Sequence, residues 1–376
     1  MLYRTLGRTG LKVSQLGFGA MHLPMTGSDG NAKVDLDKAV PLMQRAFEFG
    51  VNYVDSAVFY CNADSQRAVG MALKGWRDRV IVSTKNHYKE TDEKLWHQNL
   101  DDSLRLLDID CIDIYNIHGL SWEAWEKAVV PAIGKWLERA RDRGQIRHVC
   151  ASCHDTPGNM IRLIDTGFFE SFTVQYNLLN RSYEPAIAHA KAKNVGIVVM
   201  GPLAGGRVVE MGPAFTPVLP GSSRMAEIAM RFVLANPGVS LAISGMQTVA
   251  EVEQNVRTAG EVAPLSPVDL AAIDAHLMQL KAAADLYCTG CEYCQPCPQS
   301  VRIPKIFNTY NLARIYKNWA AARRDYDFIP RNPWDEGGRD ATACNNCGAC
   351  EKKCPQNIPI RKQLQEAHDA LKDAAK

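Results

Sequence analysis

Short runs of β-branched and aliphatic residues alternate with amphipathic segments over the first 260 or so residues of the chain. Most of the runs are continuously apolar, which is typical of strands that are covered on both faces. Eight strands are predicted: Gln15–Gly19, Val51–Ala57, Val80–Lys85, Ile112–Gly119, Ile146–Ser152, Phe172–Asn177, Gly196–Pro202 and Leu241–Met246. The amphipathic segments predict eight helices: Leu36–Phe49, Asp64–Gly75, Asp92–Leu107, Trp122–Arg143, Pro157–Asp165, Tyr183–Asn194, Arg224–Ala235 and Val249–Ala259.

A strand followed by a helix, repeated eight times, predicts an α/β fold of the (β/α)8 TIM barrel type. The stretch Leu6–Val13 is expected to form a small hairpin that plugs the bottom of the barrel. The alternative is an open doubly wound sheet, which would carry a glycine-rich fingerprint after its first strand. The chain has only Gly17-Phe-Gly19 there, without the third glycine, so the barrel is preferred.

A second, smaller domain is predicted after the barrel, with domain limits of 1–283 and 284–376. Ser266 and Pro267 have the order of an N-cap and a first helical residue, and they predict a helix to about Ala284. Three further segments are predicted, a helix, a loop rich in Pro, Gly and charge, and a last helix: Lys305–Arg323, Asp327–Arg339 and Arg361–Ala374.

Composition and charge restrict the partners of the chain. The formal net charge is +2 and the charged fraction is 22%, so the chain lacks the electrostatic footprint of a protein that binds nucleic acid or an anionic membrane. The first residues lack the apolar region of a signal peptide, and no apolar run is long enough to span a membrane. The cysteines form clusters or stand singly along the chain, which is typical of a protein in a reducing cytoplasm. A cytoplasmic location is therefore expected.

Eight of the twelve cysteines fall into two short clusters near the C-terminus, each ending in Cys-Pro. One cluster has the spacing C-x2-C-x2-C-x3-C-P, which binds a cubane iron–sulfur cluster in bacterial ferredoxins. The other has one residue fewer before its last cysteine. The alternatives are two four-thiolate zinc sites, which consecutive x2 spacings would crowd, or four disulfides in a secreted chain. Two 4Fe–4S clusters are therefore expected, and their ligands are expected to be the eight cysteines together: Cys288, Cys291, Cys294, Cys297, Cys344, Cys347, Cys350 and Cys354.

The fourth cysteine of each cluster is expected to cross over. In two-cluster ferredoxins this cysteine ligates the other cluster, so Cys354 would join the first three cysteines and Cys297 the second three. The flanks repeat as well, since Cys297-Pro-Gln-Ser-Val echoes Cys354-Pro-Gln-Asn-Ile. The C-terminal region thus resembles the duplicated half-motifs of the bacterial 2×4Fe–4S ferredoxins.

Candidate catalytic residues stand at the predicted strand ends, where barrel enzymes carry their chemistry. Asp55, Lys85 and His118 close the second, third and fourth strands, and Tyr60 follows Asp55 in the loop. A phenol with an ordinary pKa of about 10 is a poor acid, and we expect the Lys85 ammonium to lower that pKa. Asp55 would hold Lys85, and His118 would orient a substrate oxygen. Such a set can protonate a carbonyl.

In this set of residues and its order the barrel resembles the aldo/keto reductase superfamily, over about residues 1–280. Supporting stretches are Tyr3-Arg-Thr-Leu-Gly-Arg, Gln175-Tyr-Asn-Leu-Leu-Asn-Arg and Leu241-Ala-Ile-Ser-Gly-Met. The whole chain resembles the subgroup with a C-terminal 4Fe–4S ferredoxin-type domain. The resemblance implies an oxidoreductase that uses NAD(P)H to interconvert a small carbonyl and an alcohol. It also implies nucleotide contacts at Ala20, Met21, Ser152, Gln175, Met200, Gly201, Pro202, Leu203, Arg207, Gly245, Met246, Gln247, Gln254 and Asn255.

Three positions depart from the family pattern. Cys153 stands where the family usually has asparagine, and Met200 stands where many members stack an aromatic ring on the nicotinamide. Glu251 replaces the arginine that NADPH-selective members use for the 2′-phosphate, and it would repel that phosphate. The chain is therefore expected to tolerate or prefer NADH.

The combination of the two domains leaves three roles open. Nicotinamides move two electrons as hydride, whereas a 4Fe–4S cluster moves one, and no convincing flavin site is visible in the sequence. The favoured role is an oxidoreductase whose clusters exchange electrons with a redox protein partner. The alternatives are the same enzyme with structural or oxygen-sensing clusters, and an electron-transfer or interaction protein with a weakly active barrel.

Overall fold

The computed structural model describes residues 1–27, 32–87, 92–206, 208–209, 225–260, 265–282, 288, 294–333, 335, 337–354 and 357–372. The chain divides into two compact units, one of Met1–Gly205 with Ala226–Leu265 and one of Gly206–Met225 with Ser266–Lys376. The domain boundary predicted between residues 283 and 284 lies outside the described residues. The helix before that boundary is grouped with the second unit.

The first unit is a closed barrel of eight parallel strands, which confirms the predicted (β/α)8 fold. Each strand pairs with the next one along the chain, and the last pairs with the first. Because all strands run in one direction, their carboxyl ends meet at a single mouth. The strands are β1 Leu16–Gly19, β2 Tyr53–Asp55, β3 Ile81–His87, β4 Ile112–Leu120, β5 Ile146–Cys153, β6 Ser171–Gln175, β7 Gly196–Met200 and β8 Leu241–Ser244.

Helices follow the strands of the barrel at or near their predicted positions. The fourth predicted helix is continuous but has a π-helical middle, Trp125–Ile133, which contains Pro131. The helical segments are Leu36–Glu48, Ser65–Ala72, Glu93–Leu107, Trp122–Ala124, Trp125–Ile133, Gly134–Asp142, Pro157–Asp165, Glu184–Ala192, Met225–Ala235 and Val249–Gly260. Among the residues that the structure describes, no helix is both long and apolar enough to cross a membrane.

A hairpin closes the amino end of the barrel, as the sequence predicts. Its strands Tyr3–Thr5 and Lys12–Ser14 are antiparallel, and Leu6 is fully buried in the barrel interior. Gly7 is required at the tip, because it has φ +46° and a Cβ there would lie 2.2 Å from the backbone nitrogen of Gly196 at the start of β7.

The second unit is a small α-helical domain. Ser266 caps its first helix by accepting a hydrogen bond from the backbone N–H of Asp269 at 3.1 Å. The predicted single helix Lys305–Arg323 is wrong, because Lys317 has φ +59° and Asn318 caps a new helix. Part of the predicted loop Asp327–Arg339 is also helical. The helices and 3-10 turns are Pro267–Ala282, Ile303–Arg314, Trp319–Phe328, Ile329–Arg331, Ala341–Ala343, Glu351–Lys353 and Ile360–Lys372.

Candidate functional site

A buried ion pair lies at the mouth of the barrel, between the neighbouring strands β2 and β3. The Lys85 ammonium donates to Asp55 Oδ2 at 2.5 Å and to the Ser56 carbonyl at 2.8 Å. Both charged side chains are almost completely buried. Burial opposes the charged form of Lys85, but the neighbouring Asp55 and Tyr60 raise the pKa of Lys85 above its ordinary value. The amine is therefore a fixed cation at neutral pH.

Two polar side chains that sequence analysis did not single out support this pair. The Ser83 hydroxyl donates to Asp55 Oδ1 at 2.8 Å, and the Asn116 amide donates to Ser83 Oγ at 3.1 Å. Ser83 lies two residues before Lys85 on β3, so the two side chains share a face of the strand. The spacing of two residues between Ser83 and Lys85 could have identified Ser83 from the sequence. A strand covered on both faces rarely buries a hydroxyl without a hydrogen-bond partner.

Tyr60 lies beside the cation. The Lys85 ammonium is 4.9 Å from the centroid of the Tyr60 ring. The turn after Tyr60 is strained, because Cys61, Asn62 and Ala63 all have φ between +53° and +61°. Non-glycine residues rarely adopt that conformation, and such strain is concentrated at functional sites.

The balance of effects on the Tyr60 phenol differs from the one expected from the sequence. Burial raises the pKa of Tyr60, and the Lys85 ammonium offsets only part of that rise. The net pKa lies above the ordinary value, so the expected lowering toward neutral pH is wrong for this structure. The phenol is fully protonated at neutral pH and carries the proton that a carbonyl oxygen would take.

His118 completes the predicted set from the adjacent strand β4. Its ring stacks on that of His87, the partner in register on β3, at 5.4 Å, and Tyr60 meets it edge-on at 6.0 Å. Burial lowers the pKa of His118 to about 3, assisted by Lys85 and by neighbouring histidines. The ring is therefore neutral, and its buried Nδ1 has no hydrogen-bond partner among the described residues. His87 was not predicted, although it lies two residues after Lys85.

Three of the positions implied for the nicotinamide lie at the ends of β5, β6 and β7. Ser152 is buried, and its hydroxyl oxygen accepts from the Gly119 N–H at 2.8 Å, which leaves the hydroxyl proton to donate. Gln175 is exposed and lies opposite Met200 in register. A hydroxyl, a carboxamide and a partly exposed thioether side by side fit the amide and ring of a nicotinamide.

The loop after β7 has the open backbone that an approaching phosphate requires. Gly201, Gly205 and Gly206 all have φ in the left-handed region, and the Gly201 carbonyl accepts from the Asn177 amide at 2.9 Å. Pro202 is buried and Leu203 is partly exposed. Arg207, which was predicted in this loop, lies outside the described residues.

The remaining predicted positions divide between the surface and the interior. Met21, Gly245 and Gln247 are exposed, whereas Ala20 and Met246 are buried. Gln254 is partly exposed, but Asn255 is buried and donates to Ser244 Oγ at 3.2 Å, which ties its helix to β8. All seven positions lie in the segments that follow β1 and β8.

Glu251 holds the start of the same helix. Its carboxylate accepts from the backbone N–H of Gln247 at 2.7 Å, and Thr248 Oγ1 accepts from the backbone N–H of Glu251 at 3.2 Å. This is a capping-box arrangement shifted by one residue. A negative charge therefore already occupies the helix N-terminus where a nucleotide phosphate would otherwise be favoured.

In the second unit, cysteines of both clusters line a cavity.

 The first three cysteines of each cluster are spaced alike, and the second cluster places Cys344, Cys347 and Cys350 around this cavity. Cys297 and Cys294 of the first cluster line it as well. Five thiols around one space suit a cubane, because thiolates are the ligands that iron–sulfur clusters take.

The predicted crossover stays a prediction, because Cys294 lines the cavity as well as Cys297. Cys297 lies with the three cysteines of the second cluster, as the crossover requires, and Cys354 is not among the residues that line their cavity. Cys291, which belongs to the other predicted ligand set, lies outside the described residues. Among the residues that the structure describes, no group of three or more His, Cys, Asp and Glu side chains could hold a single metal ion.

An arginine from the last helix braces the second cysteine cluster. Arg361 forms an ion pair with Glu351 at 2.8 Å and donates to the Asn346 carbonyl at 3.3 Å. Between those two contacts the chain passes Gly348, whose φ is +71° and where a Cβ would lie 3.6 Å from the guanidinium carbon. Arg361 thereby fixes the turn that presents the three thiols.

Comparison with known proteins identifies both parts of the chain. The model of the aldo/keto reductase family matches residues 15–212, which include all four predicted catalytic residues. The chain belongs to the aldo/keto reductase family. The model of the 4Fe-4S dicluster domain matches residues 287–365, which include all eight clustered cysteines. This aldo/keto reductase is therefore an oxidoreductase of the subgroup with a C-terminal 4Fe–4S domain, as the sequence predicts.

Individual relatives cover most of the barrel. L-galactose dehydrogenase from Arabidopsis thaliana is 29% identical over 70% of this chain and 89% of its own length. An aldo-keto reductase from Bacillus halodurans, in its holo form, is 28% identical with a TM-score of 0.62 and covers 73% of this chain and 96% of its own. An aldo/keto reductase from Klebsiella pneumoniae in complex with NADP and acetate shares the fold with a TM-score of 0.62 at 22% identity, over 73% of this chain and 94% of its own.

Proposed function

We propose that this aldo/keto reductase interconverts a small carbonyl and an alcohol with NAD(P)H, and that Tyr60 is its general acid and base. The observation that carries the proposal is the position of the Lys85 ammonium, hydrogen-bonded to Asp55 and 4.9 Å from the Tyr60 ring centroid. A nicotinamide, when bound, supplies or accepts the hydride. The Tyr60 hydroxyl gives its proton to the oxygen of the carbonyl in reduction, and the Tyr60 phenolate takes a proton from the alcohol in oxidation.

The other residues position the reacting oxygen. His118 is neutral because burial lowers its pKa to about 3, so the ring donates or accepts a hydrogen bond without competing as a proton source. Asp55 keeps Lys85 in place, and Ser83 in turn keeps Asp55 in place. Groups that are already oriented need no rearrangement as the proton moves.

Two observations favour a class of substrate rather than one compound. One relative is named for the dehydrogenation of L-galactose, which favours a hydroxylated compound and makes alcohol oxidation a direction to assay. The neutral imidazole of His118 at the mouth suits hydroxyl groups, since its ring can donate and accept. We propose a small hydroxylated carbonyl or its alcohol as the first compounds to test.

Replacing Tyr60 by Phe tests this proposal. The hydroxyl is lost while the ring remains, so kcat should fall by about 10²- to 10⁴-fold, and the Kd of the nucleotide should stay unchanged. Tyr115→Phe is the matched control, because Tyr115 is a buried tyrosine outside the four residues. Carbonyl reduction at the wild-type rate by Tyr60→Phe would refute the assignment.

For the second unit we propose that two 4Fe–4S clusters exchange electrons with a redox protein. A cluster, when bound, supplies or accepts one electron at a time. Replacing Cys347 by Ser should abolish turnover that depends on the partner and retain turnover that depends on NAD(P)H alone. If Cys347→Ser changes only the stability of the protein, the clusters are structural, and the second of the roles described above applies.

A further inference from the structure

Cys347 brings the thiol-lined cavity to the surface of the second unit. Of the seven clustered cysteines that the structure describes, Cys347 is exposed and the other six are partly buried. Asn345 and Asn346, directly before it, are exposed as well. A cluster that is bound by Cys347 would therefore have one edge at the surface, and this edge is the place where an electron can enter or leave.

Cations surround this edge. Lys353 and Arg361 line the same cavity as Cys347, and Lys352 is exposed beside them. Glu351, the one acidic residue in segment 344–362, is already paired with Arg361. Lys362 adds a fourth cation, which lies 3.7 Å from Glu366. Four cations against one acid give this segment a formal excess of three positive charges, whereas the whole chain has a net charge of +2.

We propose that this surface, called the Cys347 surface below, binds an acidic one-electron carrier protein. The surface consists of Asn345, Asn346, Cys347, Lys352, Lys353 and Arg361. The proposal rests on the electron-transfer role proposed above for the clusters. One electron passes between the carrier and the cluster, so that one is oxidised as the other is reduced, and no bond forms or breaks. Complementary charge speeds such encounters and orients the two proteins.

The chemistry of the Cys347 surface favours a protein over other polyanions. Its exposed side chains are amides, one thiol and three cations, and none of them is a large apolar group that would enter a membrane. Its few cations also lie in one short segment, whereas nucleic-acid binding usually needs a longer basic stripe. A compact basic patch around a redox centre fits an acidic patch of similar size around the cofactor of a carrier.

A charge reversal at Lys353 tests the Cys347 surface in the full chain with its clusters reconstituted. The probe is oxidised flavodoxin, an acidic flavoprotein that carries single electrons, and its Kd is measured by calorimetry at low and at high ionic strength. Lys353→Glu should weaken binding about tenfold at low ionic strength, and the difference should shrink at high ionic strength because salt screens the charges. Lys352→Glu repeats the test if Lys353→Glu loses iron.

The matched control is Lys317→Glu. Lys317 is exposed in the same unit, after the end of the helix Ile303–Arg314, and Ile303 at the other end of this helix lines the cavity. Binding of flavodoxin by Lys317→Glu should equal that of the wild type. Equal losses in both variants, undiminished binding by Lys353→Glu and Lys352→Glu, or displacement of flavodoxin by duplex DNA or anionic vesicles would overturn the proposal. Carbonyl reduction with NAD(P)H, assayed in the same samples, reports separately on the barrel.

Discussion

At the scale of single residues, one buried cation lies beside the proposed proton donor of the barrel. Lys85 is held by Asp55 and by the Ser56 carbonyl, and its charge opposes part of the rise that burial causes in the pKa of Tyr60. The proton of Tyr60 is therefore present throughout the neutral range. Alcohol oxidation needs the opposite form of Tyr60, so its rate should increase as the pH rises toward the pKa of the phenol.

We expect Lys85→Met to move the alkaline limb of the pH–rate profile, where Tyr60 loses its proton, to higher pH. Without the cation, burial acts on the Tyr60 phenol unopposed, and its pKa rises further. Reduction should then keep its plateau to higher pH, while kcat falls in both directions because Asp55 and Tyr60 lose their common partner. Profiles of kcat against pH in the two directions measure the shift. His118 contributes no limb near its ordinary pKa, since its own pKa is about 3.

The double variant Asp55→Asn/Lys85→Met separates this effect from folding. Lys85→Met alone leaves a buried carboxylate without its cation, which costs about 3–5 kcal/mol in the free energy of unfolding. The double variant removes that carboxylate charge and should recover much of the stability, with the pH limb still displaced. An alkaline limb at the wild-type position in both variants would show that Lys85 does not act on Tyr60.

The positions of these residues were predictable from the sequence, but their electrostatics were not. Asp55, Lys85 and His118 end apolar runs, and in a barrel those ends share one mouth. The contacts of Ser83 and Asn116 depend on strand register, which one sequence does not reveal. The pKa of Tyr60 depends on how deeply the ring is buried, and a prediction that weighed only the neighbouring cation had the wrong sign.

At the scale of elements, we expect the helix Val249–Gly260 to influence the choice between NADH and NADPH. Glu251 accepts from the Gln247 N–H at its start, so the carboxylate both caps the helix and places negative charge at the position where we expect a 2′-phosphate. An arginine at this position would reverse the charge and lose the cap. Selectivity and helix stability are therefore linked through one side chain.

Glu251→Arg should shift the ratio of the Kd values for NADH and NADPH toward NADPH by about tenfold or more, since a guanidinium pairs well with phosphate. The lost cap should lower the free energy of unfolding by about 1 kcal/mol. Glu253→Arg is the control, because Glu253 lies on the same helix and pairs with Arg45 at the surface. A wild type that already binds NADPH far more tightly than NADH would contradict the prediction.

The elements themselves followed closely from the apolar pattern, because all eight strands are short runs between helices of ordinary length. The main failure was in the second unit, where a helical pattern runs through Lys305–Arg323. The structure interrupts it at Lys317, which has φ +59°, and Asn318 accepts a hydrogen bond from the Ala321 N–H at 3.1 Å. Asparagine is a common N-cap, and this signal was available in the sequence but was outweighed by helical periodicity.

At the scale of the whole molecule, the chain joins an aldo/keto reductase barrel to a 4Fe–4S dicluster domain. The two cysteine clusters are far apart in sequence, yet Cys297 of the first lies with Cys344, Cys347 and Cys350 of the second. If ligands cross over, each iron–sulfur cluster depends on both segments. Cys294 lines the same cavity, so the assignment of Cys297 needs a direct test.

Pairs of substitutions distinguish the two assignments by iron content. With the crossover, Cys347→Ser/Cys297→Ser damages a single cluster, so about four irons per chain should remain. Cys347→Ser/Cys294→Ser damages both clusters and should leave almost none. Iron and inorganic sulfide are measured after anaerobic reconstitution. The reverse outcome, with iron retained only in the second pair, would assign Cys294 to the cavity in place of Cys297.

Arg361 ties the turn of the second cysteine cluster to the last helix through Glu351 and the Asn346 carbonyl. A premature stop codon or a protease cut between Cys354 and Ile360 would leave every clustered cysteine in place. It would still separate Arg361 from the loop that holds the thiols of the second cysteine cluster. Cysteine counts alone are therefore a poor guide when shortened homologues are sorted into metalloproteins and apoproteins. The tail that follows the last thiol belongs to the ligand scaffold, and affinity tags placed there deserve the same care as a mutation in it.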